Sequence, residues 1–288
     1  TEKGRCFWMR VFEIPEGTRT SKGRAIQNLI NIGQDDKVKA FICTQDLKDE
    51  EYINNHYVIM ATKNGQVKKT SLEQYSRPRT NGINAITIKE GDELLEAKLT
   101  TGDSQVMLAV KSGKAIRFEE EKTRSMGRNA SGVRGIRLNN DTDEVIGMIT
   151  INESESDVLV VSENGYGKRS SLDDYRITNR GGKGVKTISI TEKTGNLVAI
   201  KNVTDSDDLM IINKSGIAIR LEIDHLRVMG RATQGVRLIK VRDGDAIAAV
   251  AKVMSDDEEL ELDEEGNVII PENNSNETND SGTINEEE

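Results

Sequence analysis

The chain has 288 residues, 35% of them hydrophobic and only 3% aromatic, with a formal net charge of −9. That length has room for one large domain or two ordinary ones, and the composition suits many short Val/Ile/Leu strands better than one bulky core. No apolar run is long enough to span a bilayer, and no signal peptide is read in the sequence.

The net charge conceals a split. Residues 254 to 288 hold 14 Asp and Glu and no Lys or Arg, so setting them aside leaves 35 acids against 40 bases and a body of +5. A basic body with an acidic tail suggests a polyanion-binding surface and a tail able to compete for it. Cys6 and Cys43 match no metal-ligand spacing and are expected to be buried free thiols. His56 and His225 are too few for a histidine metal site and are expected on the surface or on strands.

In chain order, the first landmark is Gly4, preceded only by Thr1-Glu2-Lys3. Every later turn glycine follows an apolar strand: Val58 to Ala61 before Gly65, Val106 to Val110 before Gly113, Val158 to Val161 before Gly165, and Leu209 to Ile212 before Gly216. The chain therefore reads as starting inside a repeat, as a piece of a longer protein would. After each turn comes a second strand carrying bases: Gln66 to Thr70, Lys114 to Phe118, Tyr166 to Ser170 and Ile217 to Leu221. Two short strands across an Asn-Gly or Ser-Gly turn predict a hairpin. A polar link and a basic glycine loop follow. A third strand leaves that loop (Asn84 to Ile88, Val133 to Leu138, Val185 to Ile190, Val236 to Val241). An acidic turn then leads to a fourth (Leu94 to Leu99, Val145 to Ile149, Leu197 to Ile200, Ala246 to Val250). Four short strands per unit is the pattern of a propeller blade. The expectation is an all-β array of five repeats, roughly 1–52, 53–101, 102–151, 152–202 and 203–253. The first is incomplete, Gln45 to His56 is a charged insertion, and 254–288 is a disordered acidic tail.

The loop is clearest at Arg124-Ser125-Met126-Gly127-Arg128-Asn129-Ala130-Ser131-Gly132-Val133-Arg134, and it returns at Arg227-Val228-Met229-Gly230-Arg231-Ala232-Thr233-Gln234-Gly235-Val236-Arg237. Diverged copies stand at Arg180-Gly181-Gly182-Lys183-Gly184-Val185-Lys186, at Arg79-Thr80-Asn81-Gly82-Ile83 and at Thr20-Ser21-Lys22-Gly23-Arg24. Loop glycines let backbone N–H groups approach a phosphate, and flanking bases neutralise it. Gly82, Gly132, Gly184 and Gly235 are candidates on that ground, although a tight turn alone explains them more readily. The bases are stronger candidates, because equivalent loops of successive blades share one rim and form a belt. They are Arg77, Arg79, Arg124, Arg128, Arg134, Arg137, Arg180, Lys183, Lys186, Arg227, Arg231 and Arg237. The second-strand bases Lys68, Lys69, Arg117, Lys168, Arg169 and Arg220 widen the belt on this reading. Aromatics are not interleaved as stacking on single strands requires, so the expected partner is duplex DNA held by its phosphates.

Catalytic readings are poor. Gly181-Gly182-Lys183-Gly184 lacks the spacing and the Ser/Thr of a P-loop. No nucleophile elbow, zinc spacing or calcium loop is present, so no catalytic or metal residue is expected. Asp173-Asp174 and Asp207-Asp208 are read as solvated acids in turns, and the equivalent Tyr75 and Tyr175 as packing residues.

At Phe12 to Glu16, Asn64 to Thr70, Met126 to Leu138 and Asn164 to Arg169, roughly within residues 1 to 253, the sequence resembles the C-terminal domain family of the DNA gyrase A protein. The resemblance implies a β-pinwheel, a propeller-like ring whose blades exchange strands, around whose basic outer rim duplex DNA wraps. It also implies a bacterial, cytoplasmic, nucleoid-associated assembly of two gyrase A and two gyrase B chains. ATP and Mg would act on other parts of that assembly, with no cofactor here and no catalytic tyrosine. The family's Gln-Arg-Arg-Gly-Gly-Lys-Gly box belongs to an earlier blade, and Thr178 to Gly184 is a degenerate copy of it. The rival readings are a topoisomerase IV C-terminal domain, a protein-binding propeller scaffold and, more distantly, an enzyme with its site in the ring centre.

Overall fold

A computed structural model of the chain describes residues 1–18, 21–152 and 156–254. The chain divides into Thr1–Met254 and Ser255–Glu288, so the acidic tail, and the disorder expected of it, lie outside the described residues. So does Thr20 of the weakest loop copy.

Among the described residues the first repeat contributes one two-residue strand, β1 (Arg5–Cys6). The Gln45 to His56 insertion contains a short helix, α1 (Glu50–Asn55), capped by the Asp49 carboxylate, which accepts from the Glu51 and Tyr52 N–H groups; the rest of the fold is all-β, as expected. The second repeat runs β2 (Tyr57–Thr62), β3 (Gln66–Ser71), β4 (Ile83–Asn84) and β5 (Leu94–Thr100). The third runs β6 (Gln105–Val110), β7 (Lys114–Glu119), β8 (Val133–Arg134) and β9 (Val145–Ile151). The fourth runs β10 (Asp157–Ser162), β11 (Tyr166–Ser171), β12 (Val185–Lys186) and β13 (Leu197–Val203). The fifth runs β14 (Asp207–Asn213), β15 (Ala218–Glu222), β16 (Val236–Arg237) and β17 (Ile247–Met254).

The sheets do not coincide with the repeats. Their orders are β5-β2-β3-β8, β9-β6-β7-β12, β13-β10-β11-β16, β17-β14-β15 and β1-β4. Each third strand is thus donated to the preceding repeat and is only two residues long, where five or six were expected. Its shortness has a local cause. After two ladder residues, the next two N–H groups converge on one acceptor, the carbonyl of the preceding repeat's turn glycine. Gly135 and Ile136 donate to Gly65 at 2.8 and 3.3 Å, and Leu238 and Ile239 donate to Gly165 at 2.9 and 3.3 Å. The fourth strands β5, β9, β13 and β17 contact one another in succession, and the donated strands occupy the opposite edges.

This layout explains the unbroken apolar first strands. Successive side chains alternate between faces, and both faces of a blade are covered. Val106, Leu108 and Val110 pack with Ile59, Ala61 and Val67 of the second repeat. Met107 and Ala109 pack with Val158 and Val160 of the fourth. Tyr75 and Tyr175 are buried, and their hydroxyls meet the Ala85 carbonyl and the Thr187 hydroxyl, as packing residues should. Asp207 and Asp208 are not in a turn. They open β14, are buried, and pair with Lys252 and Arg220, a pairing that strand register alone brings about. Cys43 is exposed rather than buried, while Cys6 is half-buried and burial pushes its thiol up to about 11. Among the described residues no helix is long and apolar enough to cross a membrane.

The turn glycines join the repeats. A Cβ on Gly165, at φ +77°, would stand 2.4 Å from the Ile239 carbonyl oxygen, whereas Gly91, at φ +73°, has open space around it. Gly165→Ala is expected to lower the free energy of unfolding by about 3 kcal/mol, and Gly91→Ala by only the ~1 kcal/mol of backbone strain. Urea unfolding of the two variants checks this; equal losses would contradict it.

Candidate nucleic-acid interface

The loop that precedes each donated strand runs along the outer edge of the preceding blade. Residues Ser125, Ile177 and Val228 bridge in parallel to Lys69, Arg117 and Arg169. The next N–H groups, of Met126, Thr178 and Met229, donate to the carbonyls of those same three bases at 2.8, 2.9 and 2.8 Å. Each loop is also bonded to the next. Thr87, Arg137 and Ser189 donate their N–H groups to the carbonyls of Ala130, Gly182 and Thr233 at 3.2, 2.8 and 3.0 Å. Two arginine side chains repeat the link: Arg180 Nη1 donates to the Arg134 carbonyl at 3.0 Å and Arg231 Nη1 to the Lys186 carbonyl at 2.9 Å. The loops therefore form one hydrogen-bonded succession along the blade edges.

The bases sort into two sets. Arg77, Arg79, Arg124, Arg134, Arg137, Lys183, Lys186 and Arg227 are exposed and pair with no acid among the described residues. Arg237 is also exposed and lies over the Tyr166 ring, donating to its hydroxyl at 2.9 Å. Arg128, Arg180 and Arg231 are half-buried. Arg124 and Arg227 stand eight residues before their loop glycines, and so does Arg176 before Gly184. Arg176 is exposed in the same place and belongs with them. Reading the middle loop from Arg180 hides this base; setting Tyr175-Arg176-Ile177-Thr178 against Thr123-Arg124-Ser125-Met126 exposes it.

The second-strand bases Lys68, Lys69, Arg117, Lys168 and Arg169 do not widen this belt. Lys68, Lys69, Lys168 and Arg169 are buried. Lys69 sits 3.7 Å from Glu120 and over the Tyr57 ring. Arg117 donates to Gln105 and to the Leu172 and Tyr175 carbonyls. Arg169 pairs with Asp157 and Asp205, and Arg220, although exposed, pairs with Asp208. Lys69, Arg117 and Arg169, each four residues past a turn glycine, thus pin the fold, because the sheet edge they occupy is covered by the next repeat's loop. Lys68 and Lys168, one residue earlier, donate to loop carbonyls instead: Lys68 to Ala85 and Arg128, Lys168 to Gly230.

The loop glycines are also structural. A Cβ on Gly82, Gly132, Gly184 or Gly235 would come within 2.8 Å of a backbone oxygen of the preceding repeat, and all four have positive φ. They let two chains approach each other, which is reason enough for glycine without a phosphate. Glu222, Asp224 and His225 gather their ligand atoms within 4.8 Å, but all three are exposed, and Asp224 holds the His225 imidazole above its ordinary value.

The DNA gyrase C-terminal domain, beta-propeller family matches residues 1–45, 56–101, 105–152, 156–204 and 207–254. The DNA gyrase A protein of Staphylococcus epidermidis is 45% identical over 259 residues, which is 90% of this chain and 28% of that protein. The Staphylococcus aureus gyrase A protein is 42% identical over 269 residues, 93% of this chain and 30% of that protein. The chain thus spans under a third of the curated relatives it matches. Among solved structures, the C-terminal domain of DNA topoisomerase IV superposes with a TM-score of 0.79 at 23% identity, over 88% of this chain and 78% of that one. The DNA gyrase A C-terminal domain gives 0.75 at 23% identity, over 88% and 80%. At that identity these two likenesses concern the fold.

Burial pushes the Lys68 and Lys168 ammonium groups down from the ordinary 10.5 to about 8; Arg128 and Arg231 nearby act in the same direction, while Asp174 opposes the shift at Lys168. Because the folded value is the lower one, the unfolded chain binds the extra protons between about pH 8 and 10.5. The stability owed to each lysine therefore rises with pH across that window. Unfolding curves of the wild type and Lys168→Met, compared at pH 7 and pH 9.5, should show the wild type gaining on the variant; parallel behaviour would contradict the assignment.

Proposed function

The chain belongs to the DNA gyrase C-terminal domain family, and on that premise we propose that it binds and wraps duplex DNA as part of a gyrase A protein. The observation that carries the reading is the hydrogen-bonded succession of loops, with an unpaired arginine at the same place in three consecutive copies: Arg124, Arg176 and Arg227. Arg134, Lys186 and Arg237 repeat in the same way two residues after the loop glycine. Bases at fixed spacing along a curved edge suit a phosphate backbone, whose contacts position the duplex without reading its sequence. Bending a 20–30 bp site costs on the order of 1–6 kcal/mol. Counterion release at many such contacts offsets that cost and makes binding fall steeply with salt.

In this reading the chain supplies wrapping alone. Cleavage, rejoining and ATP hydrolysis, with its Mg, belong to other parts of a cytoplasmic, nucleoid-associated assembly of two gyrase A and two gyrase B chains.

The test is the salt dependence of duplex binding. Replacing Arg124, Arg176 and Arg227 together by Gln is expected to leave the melting curve unchanged. The slope of log K against log salt should become shallower by about 0.9 for each lost phosphate contact. An unchanged slope and affinity would contradict the interface. A wild-type chain that neither binds duplex nor is displaced by it from heparin would favour a protein-binding scaffold instead.

A further inference from the structure

The residue third after the turn glycine is Lys68 in the second repeat, Ile116 in the third, Lys168 in the fourth and Ile219 in the fifth. This alternation matches the loop that lies over it. Lys68 and Lys168 lie under the two Met-Gly-Arg loops, Met126-Gly127-Arg128 and Met229-Gly230-Arg231. Ile116 lies under the Asn179-Arg180-Gly181-Gly182-Lys183 loop, where a Cβ on Gly182 would stand 3.4 Å from Ile116 Cδ1. That loop needs no lysine, because the Gly181 N–H donates to the Gly135 carbonyl of the previous loop at 2.6 Å. Ala85 is the equivalent of Gly135, three residues past its loop glycine, and its carbonyl accepts from Lys68 Nζ instead. The same Nζ donates to the Arg128 carbonyl at 2.7 Å. One ammonium group thus does between two loops what a backbone pair does at the next junction. Lys168 Nζ holds the other Met-Gly-Arg loop through the Gly230 carbonyl at 2.6 Å. Neither lysine forms an ion pair among the described residues, and with 0% and 1% exposure neither reaches solvent.

We infer that Lys68 and Lys168 are positioning residues for DNA binding: without touching the duplex, they set the two Met-Gly-Arg loops so that the exposed arginines on those loops line up as one belt. The inference rests on the reading of the rim as a DNA-binding surface. It separates two kinds of lysine that look alike in sequence, one that meets phosphate and one that meets carbonyls. A donor with three protons and no acceptor suits the second task, since it can satisfy two carbonyls of different loops at once.

Lys68→Met keeps an unbranched side chain as far as Cε and removes the donor. The expected result is faster amide exchange over residues 126–132, unchanged exchange over 178–184, and duplex affinity lower by tenfold or more. The salt slope should become shallower by more than one phosphate contact, that is by more than about 0.9, because a whole loop is misplaced. Lys168→Met should do the same over residues 229–235, and it serves where Lys68→Met fails to fold. A slope change of a single contact with loop exchange unaltered would mean that the lysine meets phosphate itself and would overturn the inference. So would unchanged affinity in variants whose wild type binds well. If the wild type does not hold duplex, the rim reading fails and this inference with it, which distinguishes the two failures.

Discussion

Everything in this structure depends on one repeated hydrogen-bonding geometry: the carbonyl of a turn glycine in one repeat accepting two N–H groups from the next. Those bonds fix the register of the donated strand. They also place the preceding loop along the outer edge of the neighbouring blade and leave no repeat able to satisfy its own sheet. A glycine is required because the acceptor's own Cα faces the incoming backbone at a distance that leaves no room for a Cβ. The apolar first strands follow from the same arrangement, since a blade built with its neighbour's strand is covered on both faces.

The same geometry sorts the charges. The second-strand bases of the second to fourth repeats lie beneath an incoming loop, lose much of their water, and must find partners; they find Glu120, Asp157, Asp205 or main-chain carbonyls. A buried base without such a partner would be strongly destabilising. Loop bases lie on the outside of that contact and keep their charge for whatever the rim meets. Chemical type therefore does not tell the two sets apart, whereas distance from the turn glycine does. Third and fourth positions point into the junction between repeats; positions eight before and two after the loop glycine point away from it.

Much of this was legible in the sequence, and the rest was hidden for identifiable reasons. Apolar runs ending in Asn-Gly or Ser-Gly gave the first two strands of the second to fifth repeats to within two residues, because a hairpin is a local structure. The donated strands looked three times too long, because their apolar residues continue past the ladder into packing and bifurcated bonds, and apolar periodicity does not distinguish these. Helix α1 was missed because its polar sequence carries its start signal only in Asp49. Asp207 and Asp208 looked like turn acids, since nothing local reveals that strand register brings Arg220 and Lys252 beside them. The burial of Lys68, Lys69, Lys168 and Arg169 was equally invisible: it is imposed by a loop some sixty residues away. Arg176, by contrast, was available to a more careful alignment.

We propose that the exposed loop bases hold and wrap duplex DNA along the succession of blade edges. Curvature of a defined hand has a direct signature in DNA topology. The decisive measurement is to incubate the chain with nicked circular plasmid, seal the nick with ligase, remove the protein and resolve the topoisomers. Wrapping predicts a shift in linking number of a single sign that grows with protein and disappears when Arg124, Arg176 and Arg227 are replaced together. Binding without any shift would contradict wrapping.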